Sequence, residues 1–356
     1  MTNLLEILYA QEFKKPSFYP RKFSFKQDKT LLYGPKKSGK TTIIYEYLST
    51  KKKGSYLYMD FADLRLSQAI LFGLPNFLIK HQIKLLVLEN FDFSFKIPPC
   101  QEVIITTTVP REIEGFTQEI LYPLDFEEFI AFEKRQSTIE STFNDFATWG
   151  TYPAVVLSHK EGFTKFFQEH IQLICDSPLE FTILRHFALA QGESISPFTL
   201  FNDIKVFHKI SKDKFYAIVK KLQEERSIFL VEKFAMPRAD KKIYLIDFAI
   251  KSVLTFEKDF IKRFENIIFL ELLKSHEEVY FTDLLDFYLP YHDKAILAMP
   301  FLPSSMIKSK LSRLEKELQK YKIKTLTILT LEHEEHFYHD SVLVEVLPFW
   351  DWALAR

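Results

Sequence analysis

Glycine and cysteine are both scarce, with only 8 Gly and 2 Cys in 356 residues. Where glycine is rare, each one marks backbone geometry that other residues adopt poorly. Cys100 and Cys175 show neither metal-ligand spacing nor a disulfide framework, which excludes a cysteine-stapled scaffold and fits a reducing compartment. Net charge is absent too: 47 Lys plus Arg balance 47 Asp plus Glu. No global field therefore draws the chain toward nucleic acid or acidic lipid, although a local basic patch is compatible with that balance. Apolar runs stay short of the roughly 18 residues a spanning helix requires. The opening MTNLLEILYAQEF carries acidic residues and no basic-then-apolar layout. A soluble cytoplasmic protein without a membrane partner is expected.

What is abundant is phenylalanine, 37 residues within a hydrophobic share of 47%. Such side chains fill interiors, and this length predicts two or three domains.

Two of the eight glycines fall in LLYGPKKSGKTTIIYEYL. Gly34, Gly39, Lys40 and Thr41 satisfy G-x-x-x-x-G-K-[ST], between a short apolar strand and a helix. The loop Gly34, Pro35, Lys36, Lys37, Ser38, Gly39 would turn backbone N–H groups toward phosphate oxygens, continuing into Thr41 and Thr42. Lys40 would reach the β- and γ-phosphates, and the Thr41 hydroxyl would ligate Mg²⁺. ATP and Mg²⁺ are the expected ligands. Guanine-specific Asn-Lys-x-Asp is absent, which favours adenine. Downstream, 55–61, 84–90, 102–109 and 119–124 read as strands, and 64–80 as a helix interrupted near Pro75. That alternation predicts an α/β fold with a parallel sheet, its ligands at the carboxyl ends of the strands. Asp60, Glu89, Asn90 and Thr106 to Thr108 then lie near the phosphates.

LLVLENFDF, residues 85–93, is the acidic strand, but its apolar run ends in Glu89-Asn90. Glu89 suits the magnesium side. Asn90 occupies the position of the catalytic base, and an amide has no accessible basic state. The alternative register, with Glu89 as base, loses the metal carboxylate instead. Either way one acid is missing, and slow turnover is predicted; Asp92 is a further carboxylate nearby.

LLYGPKKSGKTT, LLVLEN, IITTTVPR, YPLDFEEF and WGTYPAVV, in this order, resemble the bacterial and archaeal AAA-type ATPases with a C-terminal domain of unknown function. LLVLENFD also resembles the acidic strand of signalling (STAND-type) P-loop ATPases, which act as switches. The resemblance implies that Thr106 or Thr108 is a polar sensor near the γ-phosphate. It makes Arg111 and Arg135 candidates for a charge-stabilising arginine, and sets Pro153, with Trp149 nearby, against the base. Thr107 and Thr151 stand where the family has Gly.

Residues 161–250 read as helices followed by a hairpin, a winged-helix layout that the resemblance also implies. Phe215, Ile218, Val219 and Leu222 form one helical stripe. Lys209, Lys212, Lys214, Lys220 and Lys221 on the recognition helix, with Arg238, Lys241 and Lys242 on the wing, are candidate DNA contacts. Asp213, Glu224, Glu225 and Asp240 dilute that charge. The last third, 251–356, resembles a PD-(D/E)XK nuclease module. Glu265 and Asp286 match its first two acids, while KAILAMPF (294–301) lacks the third acid and the lysine, so metal-dependent cleavage should be crippled. His333, His336 and His339, spaced by three, read as a polar hairpin tip instead of a metal motif.

The expected organisation is a P-loop core (1–124), a helical lid (125–160), a winged helix (161–250) and a nuclease-like domain (251–356). The expected function is ATP binding with slow hydrolysis, acting as a switch on a protein, a second copy or DNA. The competing readings are a nucleic-acid-binding regulator and an ATPase-coupled nuclease.

Overall fold

The structure is a computed structural model describing residues 4–15, 21–133, 137–158, 162–257, 259–275 and 278–355. The chain forms two compact units, Met1–Pro123 and Leu124–Arg356.

In the first unit the elements run α1 (Leu4–Tyr9), β1 (Lys29–Tyr33), α2 (Lys40–Ser49), β2 (Tyr56–Asp60), α3 (Gln68–Lys80), β3 (Leu85–Glu89), β4 (Glu102–Thr107) and β5 (Thr117–Ile120). The five strands pair in parallel in the order β2-β3-β4-β1-β5. All five residues of β3 are buried, which explains its uninterrupted apolar spelling. Successive side chains point to opposite faces. Leu86 and Leu88 therefore join Leu5, Leu8, Leu74 and Phe77 of α1 and α3, whereas Leu85 and Val87 join Ile44 and Leu48 of α2. Helices thus cover both faces of the sheet.

One expectation fails here. Helix α3 runs through Pro75 without a break. Leu74, Phe77 and Leu78 are buried on either side of the proline, so packing holds a turn that the missing N–H would otherwise weaken.

The second unit begins with α4 (Phe126–Phe132), α5 (Ile139–Trp149), α6 (Pro153–Val156), α7 (Phe163–Ile174) and α8 (Pro178–Leu189). Then come β6 (Ser194–Ile195), α9 (Pro197–Phe207), α10 (Lys212–Glu224), β7 (Ile228–Val231) and β8 (Lys241–Leu245). The three strands form an antiparallel sheet, β6-β8-β7. On α10, Phe215, Val219 and Leu222 are buried and Ile218 half-buried, as the stripe predicts.

After α11 (Ile250–Leu254) and α12 (Phe260–Lys274) come β9 (Phe287–Leu289), β10 (Lys294–Ala298), α13 (Ile307–Lys320), β11 (Thr325–Thr330), β12 (Glu335–His339), β13 (Val342–Pro348) and α14 (Phe349–Leu354). The sheet order is β12-β13-β11-β10-β9, parallel in the middle and antiparallel at both edges. Ile307, Leu311, Leu314 and Leu318 of α13 recur at helical spacing and cover Leu297, Ile328 and Val344.

Phenylalanine does fill interiors. Phe126, Phe143, Phe146 and Phe349 make a ring cluster with centroids 5.1 to 5.9 Å apart. That cluster places the segment expected as a lid within the core of the second unit. The histidine cluster also differs from expectation. Residues 335–339 form the edge strand β12, and the turn that follows is at Asp340-Ser341. Alternating His336, Tyr338 and their neighbours is edge-strand patterning, which spacing by three concealed.

Candidate nucleotide-binding site

The phosphate loop connects β1 to α2. Two special backbone positions shape it. Gly34 has φ 148°, and a Cβ there would collide with the carbonyl oxygen of Leu121. Gly39, at φ 101°, caps the N-terminus of α2. Lys37 also takes a left-handed φ of 65° and is exposed. Gly34→Ala is expected to cost about 3 kcal/mol through strain and clash together. Chemical denaturation checks this, and a loss below about 0.5 kcal/mol would contradict the close approach.

Lys40 folds back over the loop, its ammonium donating to the carbonyls of Gly34 and Pro35 at 2.8 Å each. Arg21, which sequence reasoning missed, braces the loop from outside. Its guanidinium donates to the Ser38 carbonyl at 2.9 Å and the Tyr122 carbonyl at 2.7 Å. A single arginine between aromatic residues, outside any motif, carries no local signal of such a role.

Glu89, at the carboxyl end of β3, is 2% exposed. It accepts hydrogen bonds from the Thr41 hydroxyl and from the Tyr58 hydroxyl at 2.5 Å. Burial pushes its pKa up, and the Thr41 and Tyr58 hydrogen bonds oppose that rise. The structure thus brings Thr41 and Glu89 into hydrogen-bond contact at the start of α2, next to Lys40.

Asn90 follows at a left-handed φ of 52°, a region that Asn tolerates better than most residues. Its backbone N–H donates to Thr106 Oγ1 at 2.9 Å, and its side-chain amide donates to Asp60 Oδ1 at 2.8 Å. Asp60 and Glu89 are register partners on neighbouring strands. The Asn90 amide is therefore held by Asp60, on the strand beside Glu89.

Of the two sensor candidates, Thr106 is fully buried and committed to the Asn90 turn. Thr107 closes its own turn onto Val109. Thr108 and Arg111 line a cavity of about 320 Å³ with Asn90, Asp92 and Phe93. The Arg111 guanidinium lies over the Phe93 ring, 4.0 Å from its centroid.

The loop fits a phosphate chain. Among the described residues, the backbone N–H groups of Lys37, Gly39 and Thr41 have no acceptor within the chain. The Ser38 hydroxyl is buried without a partner. Free N–H donors, a lysine and a hydroxyl beside a carboxylate are the donor set for ATP and Mg²⁺.

No family model matches the chain. An uncharacterized protein of Methanocaldococcus jannaschii, MJ1544, is similar at 23% identity, covering 91% of this chain and 88% of that one. Among solved structures, the Walker-type ATPase paby2304 of Pyrococcus abyssi superposes with a TM-score of 0.47 and 14% identity. That match covers 69% of this chain and 99% of that one. The Orc1 protein of Aeropyrum pernix, solved in complex with DNA, gives a TM-score of 0.29 and 12% identity, over 66% and 88% of the two chains. The nucleotide site stands on its own geometry.

Other expected site residues lie in the second unit. Pro153 is the first residue of α6, and the preceding turn is held internally. Asp247, wholly buried, accepts from the Thr151 N–H at 2.6 Å, the Tyr152 N–H at 3.2 Å, the Thr151 hydroxyl at 3.0 Å and the Ala249 N–H at 2.8 Å. Gly150, at φ 81°, leaves no room for a Cβ beside that carboxylate. WGTYP is thus a carboxylate-bound corner, and this accounts for its glycine and threonine. Arg135 lies outside the described residues.

The candidate DNA contacts divide. Lys221 pairs with Asp176 and with Glu180, the latter at 2.7 Å. Lys220 pairs with Glu224 at 3.6 Å and Lys241 with Glu232 at 2.8 Å. Lys242 is turned inward onto Glu265 and Asp286, so it is no wing contact. Lys209, Lys212, Lys214 and Arg238 are exposed; Lys212 lies 5.3 Å from the Phe198 ring centroid. A sequence shows charges without the acids that three-dimensional packing sets beside them. Among the described residues, no helix is long and apolar enough to cross a membrane.

Proposed function

We propose that this protein binds ATP·Mg²⁺ at the phosphate loop and acts as a slow nucleotide switch. The observation that carries this reading is Asn90. It directly follows the buried Glu89 and gives its amide N–H to Asp60; an amide has no accessible basic state, so it cannot take a proton from water. Lys40 and the loop N–H groups would hold the phosphates, and Thr41 with Glu89 would hold the metal, which supplies charge neutralisation at the transferred phosphoryl group. Arg111, on the cavity wall beside Asn90 and Thr108, is the side chain placed to meet developing charge.

Loss of a general base typically costs about 10²–10⁴ in rate. Wild-type turnover is therefore expected well below about 1 s⁻¹, an ordinary ATPase rate. Asn90→Glu is expected to raise it about tenfold or more. The new acid would face Asp60, so the Asn90→Glu/Asp60→Asn pair should turn over faster than the single variant. A wild type already at ordinary rates, or no gain in either variant, would overturn the switch reading.

The downstream element belongs to the same proposal. The order α8, β6, α9, α10, β7, β8 supports a winged helix over 178–245, and the elements from α12 onward support a nuclease-like module. A nucleic-acid regulator is the second reading, carried by the exposed Lys209, Lys212, Lys214 and Arg238, Lys212 lying over the Phe198 ring.

A further inference from the structure

We infer that the Lys242 ammonium stands in for a divalent cation between Glu265 and Asp286, making the nuclease-like module a metal-independent joint. Lys242, on β8, forms an ion pair with Glu265 and a second with Asp286 Oδ1 at 3.4 Å. Tyr244, two residues along the same strand and so on the same face, donates its hydroxyl to Glu265. Asp286 Oδ2 accepts from the Ala298 N–H at 3.0 Å. Both acids that a nuclease would turn toward metal are thus committed to protein donors.

A divalent ion does not fit this cluster. Hard dications take six or more oxygen ligands, and here two carboxylates face an ammonium already between them. Side-chain exposure is 12% for Lys242, 8% for Glu265 and 30% for Asp286, so little water is at hand to complete a shell. Burial lifts Glu265 to about 7, with Lys242 opposing the rise. Lys242 is itself lifted above its usual value: burial alone would lower it, and Glu265 and Asp286 outweigh that.

The joint is completed by the next residue on α12. Asn266 accepts from the Leu245 N–H and donates to the Leu245 carbonyl, both at 2.9 Å, binding the helix to β8 as a strand neighbour would. Its Oδ1 also accepts from Gln191 at 2.8 Å. Consecutive residues Glu265 and Asn266 therefore fix α12 to consecutive stretches of β8, and Asp286 ties in the segment before β9. The hairpin and the C-terminal sheet share one buried ionic and amide seam. This inference rests on nothing in the phosphate loop.

Thermal unfolding of nucleotide-free protein, in EDTA and then in excess Mn²⁺, tests it. A Glu89→Gln background removes the acid of the phosphate loop. In that parent, Mn²⁺ is expected to leave Tm unchanged. Lys242→Ala should lower Tm by about 10 °C in EDTA, because the buried Glu265 and half-buried Asp286 carboxylates lose their shared cation, and Mn²⁺ should recover part of the loss. The neutral triple Lys242→Met/Glu265→Gln/Asp286→Asn should fold, unfold near the parent temperature and ignore Mn²⁺. It decides the matter if Lys242→Ala does not fold. A Mn²⁺-dependent rise in the parent that Asp286→Asn abolishes would overturn the inference, as would an unchanged Tm in Lys242→Ala or a triple variant that fails to fold.

Discussion

Lys40→Ala is expected to weaken ATP affinity about 100-fold or more, while the sheet of the first unit keeps its stability. A hydrogen bond to a charged group contributes about 1.5–3 kcal/mol, and tenfold in affinity corresponds to 1.4 kcal/mol. Lys40 is placed to make two or more such bonds, since its ammonium already holds two loop carbonyls at 2.8 Å. Those carbonyls are buried in the loop, so the cost of leaving them without a donor falls on the loop and not on the strands of the sheet. Titration calorimetry with ATP and Mg²⁺ measures the affinity, and circular dichroism checks the fold. Affinity within about threefold of wild type would mean that nucleotide does not bind at this loop.

The second large effect is far from the phosphate loop in sequence. Asp247→Ala is expected to destabilise the second unit by about 4 kcal/mol. The Thr151, Tyr152 and Ala249 N–H groups would lose their common acceptor, and each unsatisfied buried group costs about 1–3 kcal/mol. For a unit of this size that is a fall in Tm of about 10 °C or more. Asp247→Asn should lie between the two, since only one amide oxygen can accept. Burial already lifts the Asp247 carboxyl to about 6, against the pull of its four hydrogen bonds, so this carboxylate operates near the limit of what its donors compensate. Scanning calorimetry of the three proteins gives the order, and an alanine variant as stable as wild type would show that the corner is held by packing alone.

These two sites mark what sequence reading could and could not reach. The phosphate loop was legible because its chemistry is local: nine consecutive residues, from Gly34 to Thr42, carry glycine, lysine and hydroxyl at fixed spacing. The buried strands were legible for a related reason, since β3 and β4 are covered on both faces and need no alternation. The Asp247 corner was not legible. Its partners are 95 and 96 residues away, and WGTYP read alone suggested a lid element beside the nucleotide base. Lys242 failed in the opposite sense: a basic residue in a hairpin reads as solvated, and only the fold brings Glu265 and Asp286 to it. Pro75 misled because a helix breaker in isolation is tolerated once its neighbours are buried. Long-range polar pairing was the missing term for Asp247 and Lys242, and apolar packing for Pro75.

Arg21 gives the phosphate loop a sidedness. A trans peptide unit points its C=O and N–H in opposite directions, and the described residues include no cis bond. With the Ser38 carbonyl drawn outward to Arg21, the Gly39 N–H must face the other way, into the cradle. Lys40 likewise fixes the carbonyls of Gly34 and Pro35. Two cations thereby act as pins, Arg21 on the Ser38 carbonyl and Lys40 on those of Gly34 and Pro35, fixing the loop amides before any anion arrives. The cost of organising the loop is met during folding, so little remains to be met on binding.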